Sequence, residues 1–235
     1  MAALSVIQTH LRNIADPATA LILQRFFKTA PGQYGAGDLF LGIKVPAMRA
    51  LVKIFRDTPP KTIAALLKSK FHEERLFALL LLMDFYRYGD DADKRQAYDL
   101  YLAHTAYINN WDLVDVSAPH IVGNFLADKP RQVLYEFVAS ESLWERRIAI
   151  IATFHFIRSN EFADTLCLAE YLLGDPHDLI HKAVGWMLRE VGKRDLAAEE
   201  GFLQRHYRIM PRTMLRYAIE RFPEARRRQY LNGTA

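Results

Sequence analysis

The strongest constraint on this chain is the rhythm of its apolar residues. Ile63, Leu66, Leu67 and Phe71, and again Leu134, Phe137 and Val138, recur at the i, i+3, i+4 spacing of a helix face, and no segment alternates as a strand does. Turn formers interrupt the rhythm at Asp16-Pro17, Pro59-Pro60, Gly89-Asp90, Lys129-Pro130, Gly174-Asp175-Pro176 and Pro211. Helices of about ten to fifteen residues joined by short breaks follow, so the chain is expected to be all-α. Only Pro31 to Gly42, with Gly32, Gly35, Gly37 and Gly42, reads as a long irregular loop.

Helix starts are expected near Phe71, Trp111, Trp144, Ile180 and Pro211, at separations of 40, 33, 36 and 31 residues. Several of these helices carry a cation just before a small residue, as in Arg75-Leu76-Phe77-Ala78, Arg147-Ile148-Ala149 and Arg216-Tyr217-Ala218. Helix pairs recurring at this interval predict a right-handed α-solenoid of HEAT-like helical repeats, with a concave inner face lined by one helix per repeat. Residues 1–235 are expected to form one such domain.

Composition narrows the setting. The single cysteine, Cys167, rules out an intramolecular disulfide and points to a reducing compartment. The start Met1-Ala2-Ala3-Leu4-Ser5-Val6-Ile7 lacks the basic and apolar regions of a signal peptide, and the longest apolar run, Leu76 to Met83, is too short to span a bilayer. A cytoplasmic protein is expected. The net charge of +4 is unevenly spread: from Gly201 onward eight Arg face two Glu, which leaves the preceding residues at −2. A basic end on a near-neutral body is the electrostatic footprint expected for a polyanion, although a merely solvated Arg-rich tail would look the same.

All three Trp residues sit among charged neighbours. In Asn109-Asn110-Trp111-Asp112-Leu113-Val114-Asp115, Trp111 and Asp115 are one helical turn apart on one face. An indole and a carboxylate so placed suit a cationic group, attracted by the ring face and neutralised by the carboxylate. Asp112, close behind Asn110, is explained by the helix N-terminus, where anions are favoured. Asp115 lies a turn further in among Leu113, Val114 and Val116, where Asp is a poor helix former and gains little from the dipole. Leu143-Trp144-Glu145-Arg146-Arg147 adds two guanidinium groups, and His181-Lys182-Ala183-Val184-Gly185-Trp186-Met187-Leu188-Arg189 adds a third Trp with cations around it. Falling on successive repeats, these segments are expected to face one groove.

Other candidates carry less. His177 and His181 share a helix face, but no third ligand follows at a metal-site spacing, so surface histidines and no metal are expected. Gly32, Gly35 and Gly37 match neither the dinucleotide nor the P-loop spacing, and no strand precedes them. Cys167, among Leu166, Leu168 and Ala169, reads as a buried, inert thiol. No serine-nucleophile motif is present.

Together the motifs resemble the AlkD family of DNA alkylation-repair glycosylases, which are HEAT-like repeat proteins. The likeness runs from Gly37-Asp38-Leu39-Phe40-Leu41-Gly42-Ile43-Lys44-Val45-Pro46 through the segments 111–115 and 143–147 to Lys182–Glu190. It implies that Asp115 is the catalytic carboxylate, that Trp111 and Trp186 line the cleft, and that Arg147 holds the DNA backbone. Arg146, Lys182 and Arg189 are expected to join Arg147 in binding DNA. The implied substrate is duplex DNA bearing alkylated purines, approached through the sugar-phosphate backbone with the lesion left stacked.

The chemistry suits these residue types. A purine alkylated at N3 or N7 is cationic and already a good leaving group, so its glycosidic bond needs no strong general acid. It needs a carboxylate that stabilises the oxocarbenium sugar and directs a water, which requires no metal or cofactor. The expected function is hydrolysis of the N-glycosidic bond of 7-methylguanine or 3-methyladenine in double-stranded DNA, by a monomer with no membrane and no obligate protein partner. The alternative is a non-catalytic HEAT-like solenoid that binds DNA or protein structurally.

Overall fold

The computed structural model describes residues 3–235; Met1 and Ala2, where the reading of the N-terminus begins, lie outside the described residues. The chain packs as two compact units that meet in sequence between Ser117 and Ala118. The first contains α1 (Leu4–Asn13), α2 (Pro17–Phe26), α3 (Val45–Ile54), α4 (Pro60–Leu67), α5 (His72–Tyr88), α6 (Asp91–Leu102) and all but the last residue of α7 (Trp111–Ala118). The second contains a π-helical turn (Pro119–Gly123), α8 (Gln132–Val138), α9 (Leu143–Ala152), α10 (Phe154–Arg158), α11 (Ala163–Tyr171), α12 (Asp178–Gly192), α13 (Leu196–His206), α14 (Arg212–Ala218) and α15 (Glu224–Asn232). Among the described residues there is no strand, only an isolated parallel bridge between Leu39 and Phe71. The all-α helical-repeat expectation holds, and each expected helix start falls within two residues of an observed one.

Each unit is organised on one long helix. In the first it is α5, whose Leu76–Leu82 stretch is buried on every side, as an all-apolar helix must be. It packs against α3, α4 and α6. In the second it is α12, packed against α9, α11, α13 and α14. Contact between α12 and α14 requires Gly185, because a Cβ there would stand 2.4 Å from the Met214 carbonyl oxygen and 2.5 Å from Tyr217 Cβ.

Helix ends follow local chemistry. Asp16 caps α2 through the Ala18 amide with Pro17 in the first turn, Asp90 and Asp93 form a capping box on α6, and Ser142 and Asp195 cap α9 and α13. The expected loop is irregular and extends to Lys44. It is held from below. Glu73, buried at the start of α5, accepts hydrogen bonds from the amides of Leu41 (2.8 Å), Gly42 (2.8 Å) and Ile43 (3.2 Å). Gly42 has φ of 81° and sits where a Cβ would strike the Asp16 carbonyl oxygen.

Candidate active site

In the first unit, Asn110 is fully buried and its Oδ1 accepts the Trp111 amide at 2.9 Å, which starts α7. Trp111 and Asp115 then project from one helix a turn apart, both half-buried. The carboxylate charge is felt nearby: burial pushes the Tyr101 phenol well above its ordinary value, and Asp115 adds to the rise while a hydrogen bond with Ser117 opposes it.

Trp111 is not an isolated wall. Its ring stacks on Phe27 (centroids 5.4 Å, interplanar 23°) and meets the exposed Phe26 edge-on at 6.0 Å. Phe27 stacks on Phe40 at 5.1 Å, and the His72 ring lies against both, 4.6 Å from Phe40 and 4.9 Å from Phe27. With Ala20 and Leu23 these rings form a small apolar cluster.

The imidazole at the base of this stack belongs to a buried polar network. His72 Nε2 lies 2.8 Å from Asp112 Oδ2, and its Nδ1 is at ion-pair distance, 3.6 Å, from Asp38 Oδ2. Arg75 donates to the other Asp38 oxygen at 2.8 Å and to the Ser69 carbonyl at 2.9 Å. Asn110 Nδ2 completes the link to Asp38 at 3.5 Å. Burial alone would raise the Asp38 carboxyl, but His72 and Arg75 outweigh it and hold it below the ordinary carboxylate range. Burial alone would likewise lower the His72 pKa, yet Asp112 and then Asp38 raise it above the ordinary value. Asp112 therefore does more than favour a helix dipole: it is tied to α5.

Sequence reasoning missed this network, although a signal was present. His72-Glu73-Glu74-Arg75 places four consecutive ionisable residues at the head of an apolar helix, and all four are buried. Such a run has to be satisfied internally. Two of its partners, Asp38 and the Leu41–Ile43 amides, come from the distant glycine-containing loop, and no local pattern announces that pairing.

In the second unit, α9 and α12 pack together and carry the remaining candidates. Arg147 is 4% exposed, with Nη1 donating to the Leu179 carbonyl at the head of α12. Arg146 is a structural clamp: Nε binds Asp175 at 2.6 Å, and Nη1 donates to the carbonyls of Ser140 (3.0 Å) and Glu141 (2.9 Å). Trp186 is half-buried beside Phe154, its Nε1 donating to Glu190 at 3.1 Å. Lys182 pairs with Asp178 at 2.7 Å, and Arg189 with Glu220. By contrast, Arg212 and Arg216 on α14, part of the basic end, stand exposed a turn apart.

His177 caps α12 by accepting the Leu179 amide, and His181 Nε2 lies 2.5 Å from the Asp175 carbonyl oxygen. Among the described residues no cluster of His, Cys, Asp or Glu is arranged to hold a metal, and no helix is long and apolar enough to cross a membrane. Cys167 corrects the expectation of a buried thiol: it is exposed. Its buried neighbours Leu168 and Ala169 turn inward on α11, and 100° per residue carries position 167 outward.

The fold and these residues define a helical-repeat protein with an indole–carboxylate pair on one short helix. Residues 7–222 match the family model described as DNA alkylation repair enzyme, and the chain belongs to that family. A solved structure described as a predicted DNA alkylation repair enzyme from Enterococcus faecalis shares the fold, with a TM-score of 0.71 at 18% identity over 89% of this chain and 97% of that one. AlkD2 from Streptococcus mutans is more distant, with a TM-score of 0.55 at 15% identity over 88% and 98%. A search of curated proteins gave no significant match.

Proposed function

We propose that this protein is a DNA glycosylase that removes cationic alkylated purines, 7-methylguanine and 3-methyladenine, from double-stranded DNA. The observation that carries the reading is the Trp111–Asp115 pair on α7, in a chain of the DNA alkylation repair enzyme family. Asp115 stabilises the oxocarbenium character of the sugar as the bond to the departing purine lengthens, and orients the water that adds to C1′. The charged base leaves as a neutral product, so no strong acid is required. The indole of Trp111 favours the cationic nucleotide by about 0.5–2 kcal/mol.

Arg147 is the proposed phosphate grip. One guanidinium edge is committed to the Leu179 carbonyl, so a phosphate is offered a pre-oriented side chain rather than a mobile one. Arg146, Lys182 and Arg189 have intramolecular acidic partners, and as DNA ligands they act by exchanging these or by long-range attraction. The exposed Arg212 and Arg216 add positive charge without that exchange.

The test is release of free methylated purine from alkylated duplex DNA by the purified protein. Asp115→Asn should lower the single-turnover rate by about 10²–10³, roughly 2.7–4 kcal/mol, while DNA affinity stays level or rises. Arg147→Ala should weaken binding and excision together. No release by the wild type, or release by Asp115→Asn at the wild-type rate, refutes the mechanism; salt-sensitive DNA binding without release points to the non-catalytic module instead.

A further inference from the structure

Beneath Trp111, several charged groups of the first unit converge on one buried imidazole. Two carboxylates face His72: Asp112 from α7 and Asp38 from the glycine-containing loop. The guanidinium of Arg75, on the same helix as His72, faces Asp38. The rings of Phe27 and Phe40 that lie against it bring no charge. With a neutral imidazole the group holds two anions, Asp38 buried and Asp112 partly so, against one cation; with an imidazolium it balances. Unbalanced charge inside a protein is expensive, so the buried arrangement favours the protonated ring.

The same ring is mechanically placed. Through Phe27 and Phe40 it supports the face of Trp111 from below, and through Asp112 it fixes the residue that follows Trp111 in the first turn of α7. Asn110 ties the other side of that turn to Asp38. We propose that His72, as an imidazolium, is a positioning residue that sets the presentation of Trp111, and with it the start of the helix bearing Asp115. Loss of its proton leaves Asp38 to Arg75 alone and Asp112 without its cation, and loosens the turn. The folded-state pKa of His72 is raised, so the clamp is complete below the ordinary histidine range and is lost as pH rises through the raised value.

The catalytic consequence rests on the proposed glycosylase reading; the positioning itself does not, and two measurements separate them. The first is an NMR titration of the wild-type protein, following the His72 ring and the Trp111 indole N–H, the latter identified by its loss in Trp111→Phe. The Trp111 signal should move with the His72 midpoint, above the ordinary histidine value, and this movement should vanish in His72→Gln. A Trp111 signal indifferent to the His72 titration, or one that still titrates in His72→Gln, overturns the inference.

The second is single-turnover excision of 7-methylguanine against pH. Wild type should show a falling basic limb; His72→Gln should be at least about tenfold slower at neutral pH, with DNA affinity within about twofold and that limb absent. Excision by His72→Gln at the wild-type rate also overturns the inference. If wild type excises nothing while Trp111 follows His72, the glycosylase reading fails and the positioning stands. If His72→Gln does not fold, the wild-type titration decides alone.

Discussion

The heads of α5 and α12, the long helices of the two units, solve the same problem in opposite ways. Around the head of α5 the charges are buried and mutually dependent: Glu73 holds the loop, while Asp38, His72, Arg75 and Asp112 hold one another and the start of α7. Around α12 more of the charges remain near the surface in pairs, as in Lys182–Asp178 and Arg189–Glu220. The exceptions are Arg147 and Glu190, both buried, and the Arg146–Asp175 pair, in which the Asp175 side chain is 3% exposed. Interdependent buried groups fail together when one is removed, whereas locally paired surface groups fail singly and cheaply. The first unit therefore fixes a geometry around the start of α7, whereas the second keeps more of its cations near the surface.

The largest expected effect follows from Glu73. Glu73→Ala leaves three loop amides without their acceptor, two of them in buried bonds, and should cost at least about 3 kcal/mol by denaturant unfolding at neutral pH. A loss under about 1 kcal/mol would mean that the loop is held by its apolar contacts and that the contrast between the units is overstated. Arg146→Ala comes next. It unpairs Asp175, whose side chain is 3% exposed, and frees two loop carbonyls, for an expected loss of about 2–3 kcal/mol. If that variant keeps full stability but loses DNA affinity, Arg146 serves DNA rather than the fold.

Much of the fold was legible because helices announce themselves locally. The rhythm around Ile63–Leu67 and the breaks at Pro59-Pro60, Gly89-Asp90 and Pro211 mark elements whose ends are set by neighbours in sequence. The Trp111–Asp115 pairing was legible for the same reason, since i, i+4 on a helix needs no tertiary knowledge. What supports Trp111 was not. Phe27 stacks on it from the end of α2, backed by His72 of α5 and by Phe40 from the loop that Glu73 holds, and Asp112 finds its partner 40 residues away. Cys167 was illegible on a smaller scale: its apolar neighbours in sequence are not its neighbours in space, because a helix turns 100° per residue and leaves the thiol exposed.

A pH experiment sharpens the comparison from the second unit's side. Glu199 on α13 is 2% exposed, one carboxylate oxygen has no hydrogen-bond partner, and the other lies where a Cβ on Gly192 would be. Burial, reinforced by Glu200, pushes its pKa up to about 8, with Arg189 opposing. A raised carboxyl pKa means that the fold tolerates the neutral form. Its contribution to stability is thus full below about 4.5 and declines as pH rises towards 8. Glu199→Gln should remove that decline, gaining about 1–2 kcal/mol at pH 8 and nothing at pH 4 in thermal melts. Parallel stability profiles for the two proteins would show that Glu199 is ionised and compensated in the fold.

The smallest effect is the one that best isolates the presenting role of the second unit. The Lys182 side chain is 39% exposed and paired with Asp178, 56% exposed, one turn earlier on α12. Such a pair is worth about 0.3–0.5 kcal/mol, so Lys182→Ala should leave the unfolding free energy almost unchanged. Its effect belongs instead in the salt dependence of DNA binding. If Lys182 exchanges Asp178 for a phosphate, one fewer counterion is released on binding, and the slope of log K against log salt should become shallower by about 0.9. The Asp178→Asn variant supplies the control, because it removes the carboxylate paired with the lysine and should raise affinity without changing the slope. An unchanged slope in Lys182→Ala would confine Lys182 to its helix, and the cations presented to DNA would then be sought at Arg147, Arg212 and Arg216.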